Sequence, residues 1–241
     1  MGITRHIPNT ITSMNLLCGA LGVIFTFRGE LNMAFYLMIA AAVCDFLDGL
    51  AARMLKAYSD IGKELDSLAD LISFGLLPAM MLHRRMIEGG MTGFSSYIPL
   101  IIVVFSALRL AKFNTDDRQT ENFLGLPTPA CAMWCASLIY AGDNGISSGT
   151  ELLHNHYFIP VAAVILAFLL VCEIPMISLK FKKGSAYNKT RLTFLVTCAL
   201  FAAACLILKI HWSFIPLLIF TLYIFHSLIR YILAMLFGKK E

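Results

Sequence analysis

Charge is scarce in this chain: Asp, Glu, Lys and Arg together make up 14% of its 241 residues, against 59% hydrophobic ones, and the mean hydropathy is +0.76. Soluble globular domains carry about a quarter charged residues, so that class is excluded and the chain belongs in a bilayer. Linkers, low-complexity tracts and internal repeats are missing, so residues 1–241 read as a single polytopic membrane domain. Met1 to Asn9 lacks the pattern of a signal peptide, and no cleaved leader is expected. The seven cysteines are odd in number and scattered through apolar runs, which excludes a disulfide framework and zinc spacing. The Phe and Met residues, 18 and 12 in number, fall mostly in the same runs and support no cofactor box. No nucleic-acid partner is expected.

Long uncharged runs take the place of what is missing. A helix needs about 20 apolar residues to cross roughly 30 Å of hydrocarbon, and eight segments qualify, at about 11–27, 31–56, 64–86, 96–113, 127–142, 156–179, 190–208 and 212–236. Helices satisfy their own backbone hydrogen bonds in lipid, so the expected class is an all-α integral membrane protein of about eight transmembrane helices. With that count, fifteen of the nineteen Lys and Arg residues fall on the side of the amino terminus, leaving only Arg28, Arg84, Arg85 and Lys209 opposite. The positive-inside rule then puts both termini in the cytoplasm, with the chain in the cell membrane. Lys180, Lys182 and Lys183 read as part of that orientation signal, and His154 and His156 as loop residues. Glu173, inside the sixth segment, is an isolated acid with no assigned role.

Four carboxylates break the apolar pattern. Asp45 and Asp48 end the second segment and Asp66 and Asp70 begin the third, at i, i+3 and i, i+4 spacing. Such spacing places each pair on one helix face, with Gly49 and Ala52 continuing the first face and Gly62 the second. A short connection makes the two helices antiparallel neighbours, so all four acids share one depth near the cytoplasmic boundary. Four ionised aspartates packed together at a membrane edge need cations. Carboxylates without His or Cys are hard ligands that suit Mg²⁺ or Mn²⁺, and two such ions balance the four charges. Paired metals commonly serve displacement at phosphorus, which makes phosphoryl or phosphatidyl transfer the expected chemistry. Small residues at Gly49 and Ala52 would let a nucleotide lie against the backbone, and Arg53, one turn beyond, would pair with a phosphate.

The full string D-x2-D-G-x2-A-R-x8-G-x3-D-x3-D, from Asp45 to Asp70, resembles the signature of the CDP-alcohol phosphatidyltransferases. That resemblance implies one metal on Asp45, Asp48 and Asp66 and a second on Asp45, Asp66 and Asp70. It implies that Asp70 is also the base, and that Gly49, Ala52, Arg53, Ser59 and Gly62 line the site of CDP-diacylglycerol. Asn9 and Thr12, at the start of the first segment, look like the residues that reach the nucleotide, although an ordinary helix cap fits them equally. A homodimer is implied in the same way.

Three further stretches resemble the branch of that family that uses L-serine as acceptor. They are Ile7-Pro8-Asn9-Thr10 leading to Asn15, Leu65 to Asp70 followed by Ser73-Phe74-Gly75, and Arg109-Leu-Ala-Lys112-Phe113-Asn114 followed by Gly125-Leu-Pro127-Thr-Pro129. Arg109, Lys112 and Asn15 are therefore the acceptor candidates, with Arg109 able to grip the serine carboxylate through two hydrogen bonds. The branch usually carries Arg at the place of Lys112. Another acceptor within the family, glycerol 3-phosphate or inositol phosphate, is the alternative reading. An ion transporter with intramembrane carboxylates is a remote one, since transport does not require Gly49, Ala52, Arg53 and Gly62 at these spacings.

Overall fold

The computed structural model describes residues 6–115, 123–144, 155, 157–176, 188–209 and 211–236. Among them run α1 (Ile7–Phe27), α2 (Leu31–Met54), α3 (Asp60–Glu88), α4 (Phe94–Thr115), α5 (Thr128–Asn144), α6 (Phe158–Val171), α7 (Asn188–Ile207) and α8 (Phe214–Leu236). Each expected segment has its helix. By length and apolarity α1 to α4 and α8 are able to cross a membrane, which makes this a multi-pass membrane protein. Helix α6 and the apolar part of α7, Arg191–Ile207, are shorter than a full span. Large apolar side chains point outward on many helices, among them Phe46, Val161, Phe168 and Leu200 at 54 to 67% exposure, as a lipid-facing surface requires.

Local sequence shapes the helix ends. Pro8 lies in the first turn of α1, where its missing N–H costs nothing. Ser59 caps α3, its hydroxyl accepting from the Gly62 N–H at 3.0 Å. Directly after Asp70 the α3 backbone widens into a π-helical turn, Leu71–Leu76, before resuming as α-helix. Helix α4 opens as a 3₁₀ stretch, Phe94–Leu100, with Pro99 inside it.

Helix α1 lies along α2 and also packs on α3. It does so with one buried stripe, Pro8, Thr12, Asn15, Gly19, Gly22 and Thr26, at the three- and four-residue spacing of a single face. Helix α5 occupies the centre against α2, α3 and α8; Cys131, Ala132, Cys135, Ala136 and Ile139 are wholly buried there. Helix α4 bridges α3 and α6, and α7 rests on α8.

The two ends of the bundle differ in character. At one end Arg85 Nη1 lies 2.8 Å from Asp143 Oδ1, Arg84 Nε lies 2.7 Å from Glu88 Oε1, and Arg84 Nη1 donates to the Phe27 carbonyl at 3.5 Å. These contacts fasten the carboxyl-terminal ends of α1, α3 and α5 together. The opposite end gathers the start of α1, the end of α2 and the start of α3, where the aspartates stand.

Three expectations need correction. The sixth segment, expected over 156–179, ends as a helix at Val171: Cys172 is extended, with ψ 157°, and Pro175 disfavours the helical conformation for its predecessor. The chain there forms β2 (Pro175–Met176), antiparallel to β1 (Phe123–Leu124), so the helical class carries one two-residue ladder. Glu173 is consequently not buried in a span. Its carboxylate lies 3.2 Å from Lys112 Nζ, with 64% of its side chain exposed. The third correction concerns α2 and the first turns of α3, which are not packed side by side; each packs on α1, and a cleft remains between them. His154, His156, Lys180, Lys182 and Lys183 lie outside the described residues.

Gly125 locks the ladder in place. Its N–H donates to the Ile174 carbonyl at 2.9 Å and the Leu126 N–H to that of Leu169 at 2.7 Å, while Gly125 itself sits at φ +77°. A methyl group there would stand 2.5 Å from the Leu170 carbonyl oxygen. Gly125→Ala is therefore expected to lower stability by at least about 2 kcal/mol, read as a fall in the thermal midpoint of the detergent-solubilised protein.

Candidate active site

Helical spacing delivers the carboxylates as a group. One oxygen from each of Asp45, Asp48 and Asp66 lies within 4.8 Å of the other two, so the acids of α2 and α3 meet across the cleft. At that separation each pair of negative charges repels by on the order of 3 kcal/mol at an effective dielectric constant near 20. Three oxygen donors this close, with no nitrogen or sulfur ligand in the group, fit a hard divalent cation. Asp70 stands one turn deeper on α3, 8% exposed, and near enough to Asp45, Asp66 and Asp48 to sense their charges. Its Oδ1 accepts from Asn15 Nδ2 at 3.3 Å.

Two of the trio open onto a cavity of ≈ 360 Å³ between α1, α2 and the start of α3. Asp48 and Asp66 form part of its wall, and all seven residues expected to meet the donor line the rest: Asn9, Thr12, Gly49, Ala52, Arg53, Ser59 and Gly62. Pro8, Ala57, Tyr58 and Lys63 line it too and were not foreseen. A neighbouring hollow of ≈ 680 Å³ shares Asn9, Tyr58, Ser59 and Lys63 with it. Lys63 had a visible signal, a cation one residue past Gly62 within the motif itself. Its Nζ donates to the Asn114 carbonyl at 3.0 Å, and Asn114 Nδ2 donates to Ser67 Oγ at 2.9 Å, which ties the end of α4 to the wall of the site.

Several motif residues have local work of their own. Gly62 permits the close approach of α1, for a Cβ there would come 2.8 Å from Asn9 Oδ1 and 2.9 Å from Ser59 Oγ. Over Gly49 the space is open apart from Arg53 Nη2 at 4.0 Å. Thr12, expected to face a nucleotide, places its hydroxyl 2.6 Å from Asp48 Oδ2.

The acceptor candidates separate into two groups. Arg109 is buried at 7% exposure; its Nη1 donates to Thr128 Oγ1 at 3.3 Å, and it lies near enough to Asp70 and Tyr223 for their charges to interact. Asn15 is wholly buried and turned to Asp70. Lys112 Nζ donates to Glu173 Oε1 at 3.2 Å, an exposed pairing. Thr128 lies in the Gly125-to-Pro129 stretch that resembles the serine branch, while Tyr223, 114 residues from Arg109 in sequence, carries no local signal.

Residues 5–174 match the CDP-alcohol phosphatidyltransferase family. The CDP-diacylglycerol–serine O-phosphatidyltransferase of Bacillus subtilis is 30% identical over 184 residues, which cover 76% of this chain and 96% of that relative. The Mycobacterium leprae protein of the same name is 32% identical over 205 residues, 82% of this chain and 66% of its own length. The archaetidylserine synthase of Methanothermobacter thermautotrophicus is 33% identical over 138 residues, 56% of this chain and 58% of the relative. The matched region contains the acidic trio, the cavity around it and the helices that build both. Position by position and as a folded site, the chain belongs to the CDP-alcohol phosphatidyltransferase family.

Proposed function

We propose that this chain transfers the phosphatidyl group of CDP-diacylglycerol to the hydroxyl of L-serine, releasing CMP. The observation that carries the chemistry is a carboxylate trio of which two members, Asp48 and Asp66, line a cavity shared with all seven donor-motif residues. The choice of acceptor is supported by the names of the relatives and by a buried arginine beside Asp70.

In this reading Asp45, Asp48 and Asp66 hold one divalent cation, and Asp45, Asp66 and Asp70 a second, Mg²⁺ or Mn²⁺. When bound, the cations neutralise charge on the diphosphate and on the departing CMP. Arg53 and Lys63 add positive charge along the cavity wall, and Gly49 and Ala52 leave room for the nucleotide. Asp70 takes the proton of the serine hydroxyl, whose oxygen forms the new bond to the β-phosphorus as the bond to CMP breaks. Arg109 pairs with the serine carboxylate. Acyl chains stay in lipid while serine arrives from the cytosol, so the site end of the bundle faces the cytoplasm. A homodimer in the cell membrane completes the proposal.

The test is turnover of CDP-diacylglycerol by the purified protein with serine, glycerol 3-phosphate or inositol 1-phosphate, each with Mg²⁺, Mn²⁺ or chelator. Phosphatidylserine and CMP are expected in equal amounts with serine alone. Turnover with glycerol 3-phosphate and not with serine would overturn the acceptor. In the same assay Arg109→Lys, which keeps the charge and removes the planar fork, is expected to raise the serine KM about tenfold, in line with the loss of one charged hydrogen bond.

A further inference from the structure

Helix α1 reaches the two aspartate-bearing helices through two buried side chains one turn apart. Thr12, 3% exposed, has a single hydroxyl proton and two oxygens in range, Asp48 Oδ2 at 2.6 Å and the Pro8 carbonyl at 3.0 Å. The carboxylate receives it, because a charge-assisted bond is the shorter and stronger of the two. Asn15 donates to Asp70 Oδ1 and is held from behind by Ser73, whose hydroxyl donates to the Asn15 backbone carbonyl at 3.0 Å. The side-chain carbonyl of Asn15 is buried with no hydrogen-bond partner among the described residues. Buried polar atoms are rarely left so, and here the bond to Asp70 decides how the amide is turned.

We propose that Thr12 and Asn15 are positioning residues. Each engages one oxygen of an aspartate on a different helix, fixes the rotation of that carboxylate, and leaves its second oxygen directed at the reaction. Helix α1 thus sets the relative placement of α2 and α3, which have little direct contact of their own at this end. Thr12 also lines the cavity; the role proposed for it runs through Asp48, and that of Asn15 through Asp70. This inference rests on the function proposed above and gives α1 a share in it that the aspartate motif alone does not reveal.

Its test separates the two. Mn²⁺ affinity of the purified full chain, without substrates, is read from the electron paramagnetic resonance of the free ion. Groups that orient metal ligands typically contribute about 10- to 100-fold, so Thr12→Val, which keeps the shape and removes the hydroxyl, is expected to weaken binding by that factor. Thr12→Ser, which restores the donor, is expected to stay within about threefold of the parent. Should Thr12→Val not fold, Thr12→Ala serves the same comparison. Asn15→Leu is expected to lower kcat about 10- to 100-fold while the serine KM stays within about threefold.

Thr12→Val binding Mn²⁺ as the parent does, or Thr12→Ser failing as badly as Thr12→Val, would overturn the role of Thr12. A raised serine KM with unchanged kcat in Asn15→Leu would make Asn15 an acceptor contact instead. Asp48→Asn is the control: if it too leaves Mn²⁺ binding unchanged, the metal reading itself falls, whereas a loss there with none in Thr12→Val removes only the positioning role.

Discussion

Asp70→Asn is expected to bind CDP-diacylglycerol normally and to turn it over about a thousandfold more slowly. Asparagine fills the same space and still offers an oxygen to the second cation, which Asp45 and Asp66 also hold, but it cannot take the proton of an attacking hydroxyl, and general-base help of this kind contributes about 10²- to 10⁴-fold. A thousandfold is about 4 kcal/mol of barrier. The depth of Asp70 explains why donor binding should survive. It is buried one turn below Asp66, while Asp48 and Asp66 line the nucleotide-sized cavity and Asp70 does not. Equilibrium binding of CDP-diacylglycerol and single-turnover rates measure the two halves of the expectation. Near-normal turnover in Asp70→Asn would show that some other group takes the proton.

Asp45→Asn should do something different. Asp45 shares its oxygen cluster with Asp48 and Asp66, and the proposal has it serve both cations. Mn²⁺ affinity is therefore expected to fall by at least about 100-fold and turnover to become undetectable, since the hard anionic donor set that favours such ions has lost a member. Chelator should bring the parent protein to the same state, and added Mg²⁺ or Mn²⁺ should restore the parent alone. An Asp45→Asn protein that binds Mn²⁺ as tightly as the parent would place the cations elsewhere.

The difference between these two variants follows from geometry that was half legible in the sequence. Spacing of three and four residues fixes which acids share a helix face, so Asp45 with Asp48, and Asp66 with Asp70, could be grouped without coordinates. That Thr12 answers Asp48 and Asn15 answers Asp70 could not, because the partners are 36 and 55 residues apart and meet only through packing. For the same reason α2 and the first turns of α3 look packed side by side in the sequence: the short loop between them says that they are near, not that each packs chiefly on α1 there. Tyr223, on α8 and near enough to Arg109 for their charges to interact, is a neighbour of this long-range kind.

Hydropathy served the helices well and their ends less well. All eight apolar runs became helices because lipid leaves the backbone no other way to satisfy its polar groups. The run from Phe158 to Leu179 stays apolar past Val171, and counting apolar residues cannot register that Pro175 and an extended Cys172 have already stopped the helix. Glu173 was assigned to the bilayer for that reason. Its exposed pairing with Lys112 is ordinary at a surface and contributes at most about 1 kcal/mol.

The widened turn at Leu71–Leu76 amounts to one residue inserted into an otherwise regular α-helix. Since each α-helical residue advances about 100° around the axis, the stretch bearing Asp66 and Asp70 is out of phase with the stretch that buries Leu77, Met81 and Met86. Deleting any single residue from the turn would bring the two into phase and swing the carboxylates about a quarter of a revolution relative to the core. Between Asp70 and Leu77 the number of residues is thus constrained, over and above the identity of those that pack there.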